Sequence, residues 1–131
     1  MGPVTGNVNL SVLIVEDEPL TLDLLMETLA LKYPSASVFQ AADGKAALEL
    51  FLAHRPEIVI TDMNMPRMTG SQLATAIREV APGAKIIAVT GERGDTGNQA
   101  AVRREGLFDY CLMKPILITD LLNILETSCR G

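Results

Sequence analysis

The chain has 131 residues, enough for one domain with a real core. Its 48% hydrophobic and 21% charged residues fit a globular protein, and three Phe, two Tyr and no Trp leave that core to aliphatic side chains. A net charge of −5 argues against non-specific binding to nucleic acid or anionic membranes and suits a site that holds a cation. Cys111 and Cys129 are too few and too far apart for a disulfide framework or a zinc site. The opening stretch Met1 to Asn7 lacks the basic and apolar segments of a signal peptide, and no apolar run approaches the ~20 residues of a membrane span. A cytoplasmic domain over residues 9–128 is therefore expected, with residues 1–8 a disordered start or, at Gly2-Pro3, a remnant of tag cleavage.

Leu10 to Val15 is a short aliphatic run and predicts a first buried strand. Glu16-Asp17-Glu18 follows, and Pro19 opens a helix where its missing N–H costs nothing. Leu22, Leu25, Met26 and Leu29 recur at helical spacing through Ala30. Tyr33-Pro34 ends that helix, Ser37 to Ala41 predicts a second strand, and Asp43-Gly44 turns into a second helix. That helix carries Ala47, Leu48, Phe51 and Leu52 on its apolar face and His54-Arg55 in its last turn, where positive charge suits the helix dipole. Glu57 to Asp62 predicts the third strand, a β-branched run suited to burial on both faces. After a polar loop, Gln72 to Arg78 predicts a third helix, and Lys85 to Thr90 a fourth strand. Gly91 to Asn98 reads as a loop, Gln99 to Glu105 as a weakly amphipathic helix, and Tyr110 to Met113 as the fifth strand. Thr119 is placed to cap a last helix built on Leu121, Leu122, Ile124 and Leu125. Strands alternating with helices in this way indicate βαβ units and one parallel sheet with helices on both faces.

Strand ends carry the chemistry. Glu16-Asp17 follows the first strand, Asp62 ends the third, Thr90 the fourth, and Lys114 follows the fifth. In a parallel sheet these ends share one edge, where open α/β folds bind ligands. Singly, each has a plain reading: Asp62 a helix cap, Glu16-Asp17 a solvated helix start, Thr90 a turn residue, Lys114 a surface lysine. Together, three carboxylates repel one another unless a cation neutralises them. Oxygen ligands without His or Cys favour Mg²⁺ over zinc. A carboxylate beside Mg²⁺ can attack a phosphoryl group and form an aspartyl phosphate, with Lys114 and the Thr90 hydroxyl to meet the phosphoryl oxygens.

Val15-Glu16-Asp17-Glu18-Pro19, Ile60 to Gly70 with its D-x-x-M-P-x-M-x-G loop, Val89-Thr90-Gly91 and Met113-Lys114-Pro115 together resemble the receiver domain of two-component response regulators. The resemblance spans roughly residues 9 to 128. It implies a flavodoxin-like, doubly wound five-stranded parallel sheet in the order 2-1-3-4-5 with five helices. It implies Asp62 as phospho-acceptor and Mg²⁺ as cofactor, bound directly by Asp17 and Asp62, by the Asn64 carbonyl, and by Glu16 through water. Thr90 matches the switch hydroxyl and Lys114 the phosphate-binding lysine, with a cis bond before Pro115. Asn64 and Glu92 match positions that tune dephosphorylation. Implied partners are a histidine kinase or phosphotransfer protein and a downstream output domain or protein, with no direct role for nucleic acid or membrane. The implied switch reshapes the face of the fourth helix, fifth strand and fifth helix, which in the family also supports phosphorylation-dependent dimers.

Two features depart from the family pattern. Thr90 and Lys114 lie further apart than is usual, and the extra residues are expected in the Gly91–Asn98 loop and near Phe108. Three positions before the lysine, where the family carries an aromatic switch residue, stands Cys111, with Tyr110 one earlier. Strand side chains alternate faces, so either a bulge brings Tyr110 into that role, or Cys111 replaces it, or both are ordinary strand residues. Two further functional readings stand beside the receiver. One is a phosphorylation-independent interaction module. The other is a metal-dependent phosphatase, which resembling enzymes run with a second carboxylate two residues after the nucleophile, where this chain has Asn64.

Overall fold

A computed structural model of the chain describes residues 10–65, 68–91 and 106–130. The elements run β1 (Ser11–Val15), α1 (Pro19–Lys32), β2 (Ser37–Ala41), α2 (Gly44–His54), β3 (Ile58–Asp62), α3 (Gly70–Val80), β4 (Lys85–Thr90), β5 (Tyr110–Met113) and a last helix, α4 (Ile118–Arg130). The five strands form one parallel sheet in the order β2-β1-β3-β4-β5, as expected of a flavodoxin-like doubly wound fold. Four helices belong to the described residues. The helix expected over 99–105 lies outside them, as do Glu92, Pro66 and Arg67. Among the described residues no helix is long and apolar enough to cross a membrane.

Burial follows strand position. Every residue of β3 is buried, because β3 is central and both its faces are covered, whereas edge strand β2 fully buries only Ala41. Strand parity divides the apolar side chains between two faces. Val12, Ile14, Ile58, Ile60, Ile87 and Val89 pack on Leu25 and Leu29 of α1 and Leu121 and Leu125 of α4. Leu13, Val15, Val59 and Ile86 pack on Ala47 and Phe51 of α2 and Leu73 and Ile77 of α3. At about 25 cal/mol per Å² of buried apolar surface, these two layers supply the main drive for folding.

Several local expectations change. Leu52, expected on the apolar face of α2, is 47% exposed, since it lies about 100° around the helix from Phe51. Arg55 is not in that helix but follows it as the C-cap, in the left-handed region at φ 49°. Helix α3 starts at Gly70 rather than Gln72, with a reciprocal capping box between Thr69 and Gln72. Thr119 does not cap α4: the Leu121 N–H already bonds the Leu117 carbonyl at 3.1 Å, which puts Thr119 inside the first turn.

Candidate functional site

The order β2-β1-β3 reverses direction between β1 and β3, and the loops after those two strands border the resulting crevice. Register aligns Val15 with Thr61 and Asp62 with Val89, so the residues just beyond Val15 sit beside Asp62. The Glu16 N–H bonds the Ala41 carbonyl at 3.0 Å, which extends the pairing with β2 by one residue and fixes Glu16 over the edge. Asp62 is 7% exposed and Glu16 2% exposed, while Asp17 is open to solvent. One carboxylate oxygen from each lies within 4.8 Å of the others.

Asp62 does not cap the helix that follows it, because Thr69 does. Its Oδ1 instead accepts the Asn64 backbone N–H at 3.0 Å, and its Oδ2 accepts from Lys114 Nζ at 3.4 Å. The loop can turn this tightly because Gly70 lies against it. A Cβ there would stand 2.8 Å from the Asp62 carbonyl oxygen and 2.9 Å from Met63 Cα. Met68 of the same loop lies against Gly44 at the start of α2, where a Cβ would meet Met68 Cβ at 2.5 Å.

Lys114 reaches the carboxylates from the far side of the sheet edge. Its ammonium donates to Glu16 Oε2 at 3.2 Å and to Glu18 Oε1 at 3.3 Å as well as to Asp62. Burial works against its charge, but Asp62 and Glu16 outweigh that and hold its pKa above the ordinary lysine range. Glu16 is pushed the other way. Burial raises its carboxyl above the usual range, Asp62 adds to the rise, and the Glu18 N–H and Lys114 only partly offset it. Glu16 Oε1 is buried without a hydrogen-bond partner among the described residues. An orphaned anionic oxygen beside two further carboxylates is what a hard divalent cation satisfies, and the all-oxygen donor set fits Mg²⁺. The Lys114–Pro115 bond is cis.

Thr90 is fully buried, and its hydroxyl faces β5, donating to the Leu112 carbonyl at 3.5 Å with Cys111 Sγ at 4.0 Å. β4 and β5 pair without a bulge: Ile87 aligns with Tyr110, Ala88 with Cys111 and Thr90 with Met113. Parity therefore places Cys111 on the face that carries Thr90, and Tyr110 on the opposite face against the α1 and α4 core. Asn64 is exposed at the rim. Two participants escaped the sequence reading. Glu18 holds Lys114 across 96 positions of sequence, a contact only the fold creates. Arg78 of α3 ties the approach to β5 through the Leu107 carbonyl at 2.8 Å and Asp109 Oδ2 at 2.8 Å.

The chain matches the family model described as the response regulator receiver domain over residues 12–126. It is 34% identical over 122 residues to an uncharacterized 14.6 kDa protein encoded beside sodA1 in Leptolyngbya boryana, covering 92% of this chain and 90% of that protein. It is 38% identical over 124 residues to the virulence sensor protein BvgS of Bordetella pertussis, covering 91% of this chain but only 10% of that protein. Among solved structures, the REC domain of AraT, a response regulator from Geobacillus stearothermophilus, superposes with a TM-score of 0.80 at 31% identity, covering 92% of this chain and 93% of that one.

Proposed function

The chain belongs to the response regulator receiver domain family, and from that premise we propose that Asp62 accepts a phosphoryl group from a phosphohistidine on a histidine kinase or phosphotransfer protein. Receiver domains are regulatory elements found in both sensor kinases and response regulators. The observation that carries the reading is the setting of Asp62. It is a nearly buried carboxylate at the central strand end, with a backbone N–H on one oxygen, an ammonium on the other and two more carboxylates within metal-sharing distance.

In the proposed step an Asp62 carboxylate oxygen attacks phosphorus in line with the P–N bond. The new P–O bond forms as the P–N bond breaks, and the imidazole nitrogen keeps the electron pair, leaving a neutral histidine and an acyl phosphate. Asn64 N–H orients the carboxylate, and Lys114 balances charge on the phosphoryl oxygens. Glu16, Asp17, Asp62 and the Asn64 carbonyl would hold Mg²⁺, which when bound supplies Lewis-acid neutralisation of the phosphoryl charge. Exposed Asn64, together with Glu92, tunes the access of water to the acyl phosphate. The absence of a carboxylate at position 64 disfavours sustained phosphatase turnover.

The switch follows from where Thr90 now points. Its hydroxyl is engaged with β5, and a phosphoryl group on Asp62 offers it a stronger, charged acceptor. Cys111 takes the place of the aromatic coupling residue, because it shares the face of Thr90, while Tyr110 packs half-buried against the core on the opposite face. The output surface is the groove beside β5 and α4, where Met113 and Leu117 are at least half exposed. A downstream domain, or a second phosphorylated copy, would engage it. We place the domain at residues 9–128 and in the cytoplasm. Treating the protein with acetyl phosphate and Mg²⁺, then reducing the acyl phosphate with borohydride, tests the reading: the reduced residue should be position 62. Modification at another residue, or none, contradicts it.

A further inference from the structure

A lysine ammonium has three N–H donors, and Lys114 has three carboxylates within 3.2–3.4 Å: Glu16, Glu18 and Asp62. A phosphoryl oxygen arriving on Asp62 therefore finds each donor direction already matched to an acceptor. One carboxylate must release the cation, and the three are not equivalent. The Glu16 side chain is 1% exposed and its other oxygen is already orphaned, so taking Lys114 away leaves a buried charge less compensated. Asp62 carries the phosphoryl group itself. The Glu18 side chain is 50% exposed, and water replaces the ammonium there at little cost. Thr21 Oγ1 donates to the same Glu18 Oε1 at 2.6 Å and fixes it toward Lys114.

We propose that Glu18 is a positioning residue that holds the Lys114 ammonium before transfer, oriented by Thr21, and yields it to the phosphoryl group. This rests on the reading of Asp62 as acceptor. Glu18 thereby competes with the phosphoryl group for the same cation and biases the domain toward its unmodified state. Removing the competitor raises affinity for a phosphoryl group, whereas a merely structural role would lower it.

The test uses the full chain, at Mg²⁺ concentrations shown by titration to saturate each variant. Equilibrium binding of beryllofluoride, a phosphoryl mimic, is measured by calorimetry for wild type, Glu18→Gln and Thr21→Val. Glu18→Gln is expected to bind beryllofluoride about two- to fivefold more tightly, the scale of one exposed ion pair. Thr21→Val keeps the charge but loses the orientation, and is expected to shift in the same direction by less. Acetyl phosphate labelling should accelerate in the same order. Unchanged or weaker binding in Glu18→Gln, with the wild type binding normally, overturns the proposal. A wild type that neither binds beryllofluoride nor takes up label overturns the acceptor reading beneath it.

Discussion

Replacing Gly70 with Ala sets two effects of known size against each other. Gly70 is the first residue of α3 and its backbone is open to any residue, so helix propensity alone predicts a gain of at most about 1 kcal/mol, the value for a helix interior. The added Cβ, however, would stand 2.8 Å from the Asp62 carbonyl oxygen, 2.9 Å from Met63 Cα and 3.0 Å from Met63 Sδ. The first two are backbone atoms of the strand end and cannot rotate aside, unlike the methionine sulfur. Overpacking costs about 1–3 kcal/mol, and two backbone contacts under 3.0 Å put this case at the upper end, about 2–3 kcal/mol, so the clash wins and the net loss is about 1–2 kcal/mol. With an unfolding entropy near 2.1 cal/mol/K per residue, that is a fall of roughly 4–7 °C in the melting midpoint. The same displacement moves Asp62 against Lys114 and Asn64, so labelling by acetyl phosphate should slow as well. Gly83→Ala is the control: among the described residues nothing lies within 4 Å of its Cβ position, and it should be neutral or stabilise by a few tenths of a kcal/mol, about the lower end of the usual gain. Calorimetric melting and labelling rates on the two variants decide the matter. A Gly70→Ala protein as stable as wild type and labelled at the same rate refutes the close-approach argument.

Mg²⁺ at ten times its dissociation constant should stabilise the protein by about 1.4 kcal/mol, roughly 5 °C in midpoint, and a midpoint indifferent to Mg²⁺ contradicts the metal site. In chelator, Glu16→Gln should raise stability. Burial raises the Glu16 carboxyl in the folded state, so stability is lost as pH climbs from the ordinary carboxylate value through the raised one. The gain should therefore grow across that window and level off above it. A gain that shrinks with rising pH counts against it. Arg78→Ala removes bonds to the carbonyls of Leu107, Pro82 and Ala84 and the pairing with Asp109, and should cost about 2–3 kcal/mol in urea unfolding. A loss under about 0.5 kcal/mol, the size of an ordinary surface change, would show that those bonds do not hold the approach to β5.

Much of the site is legible in sequence because parallel strands deliver their C-terminal residues to one edge. Once Ile58–Asp62 and Lys85–Thr90 read as buried strands, Asp62 and Thr90 had to lie near Glu16-Asp17 and Lys114. The face of Cys111 was not legible, because parity is fixed only by register, and register depends on whether β5 carries a bulge. The capping box at Thr69-Gly70-Ser71-Gln72 was present as a pattern, yet it lay in a loop where Gly70 suggested a turn. Glu18 and Arg78 were illegible for a different reason. Their charged partners, Lys114 and Asp109, lie 96 and 31 positions away, and the sequence pattern around them does not distinguish either from a solvated surface charge.

Every proposed step depends on phosphoryl uptake at Asp62. Wild-type protein and Asp62→Asn, incubated with radiolabelled acetyl phosphate in Mg²⁺ and separately in chelator, test it most directly. The wild type should incorporate up to one label per chain in Mg²⁺ and little in chelator, and Asp62→Asn should incorporate none. Undiminished labelling of Asp62→Asn would contradict the assignment of Asp62 as the acceptor.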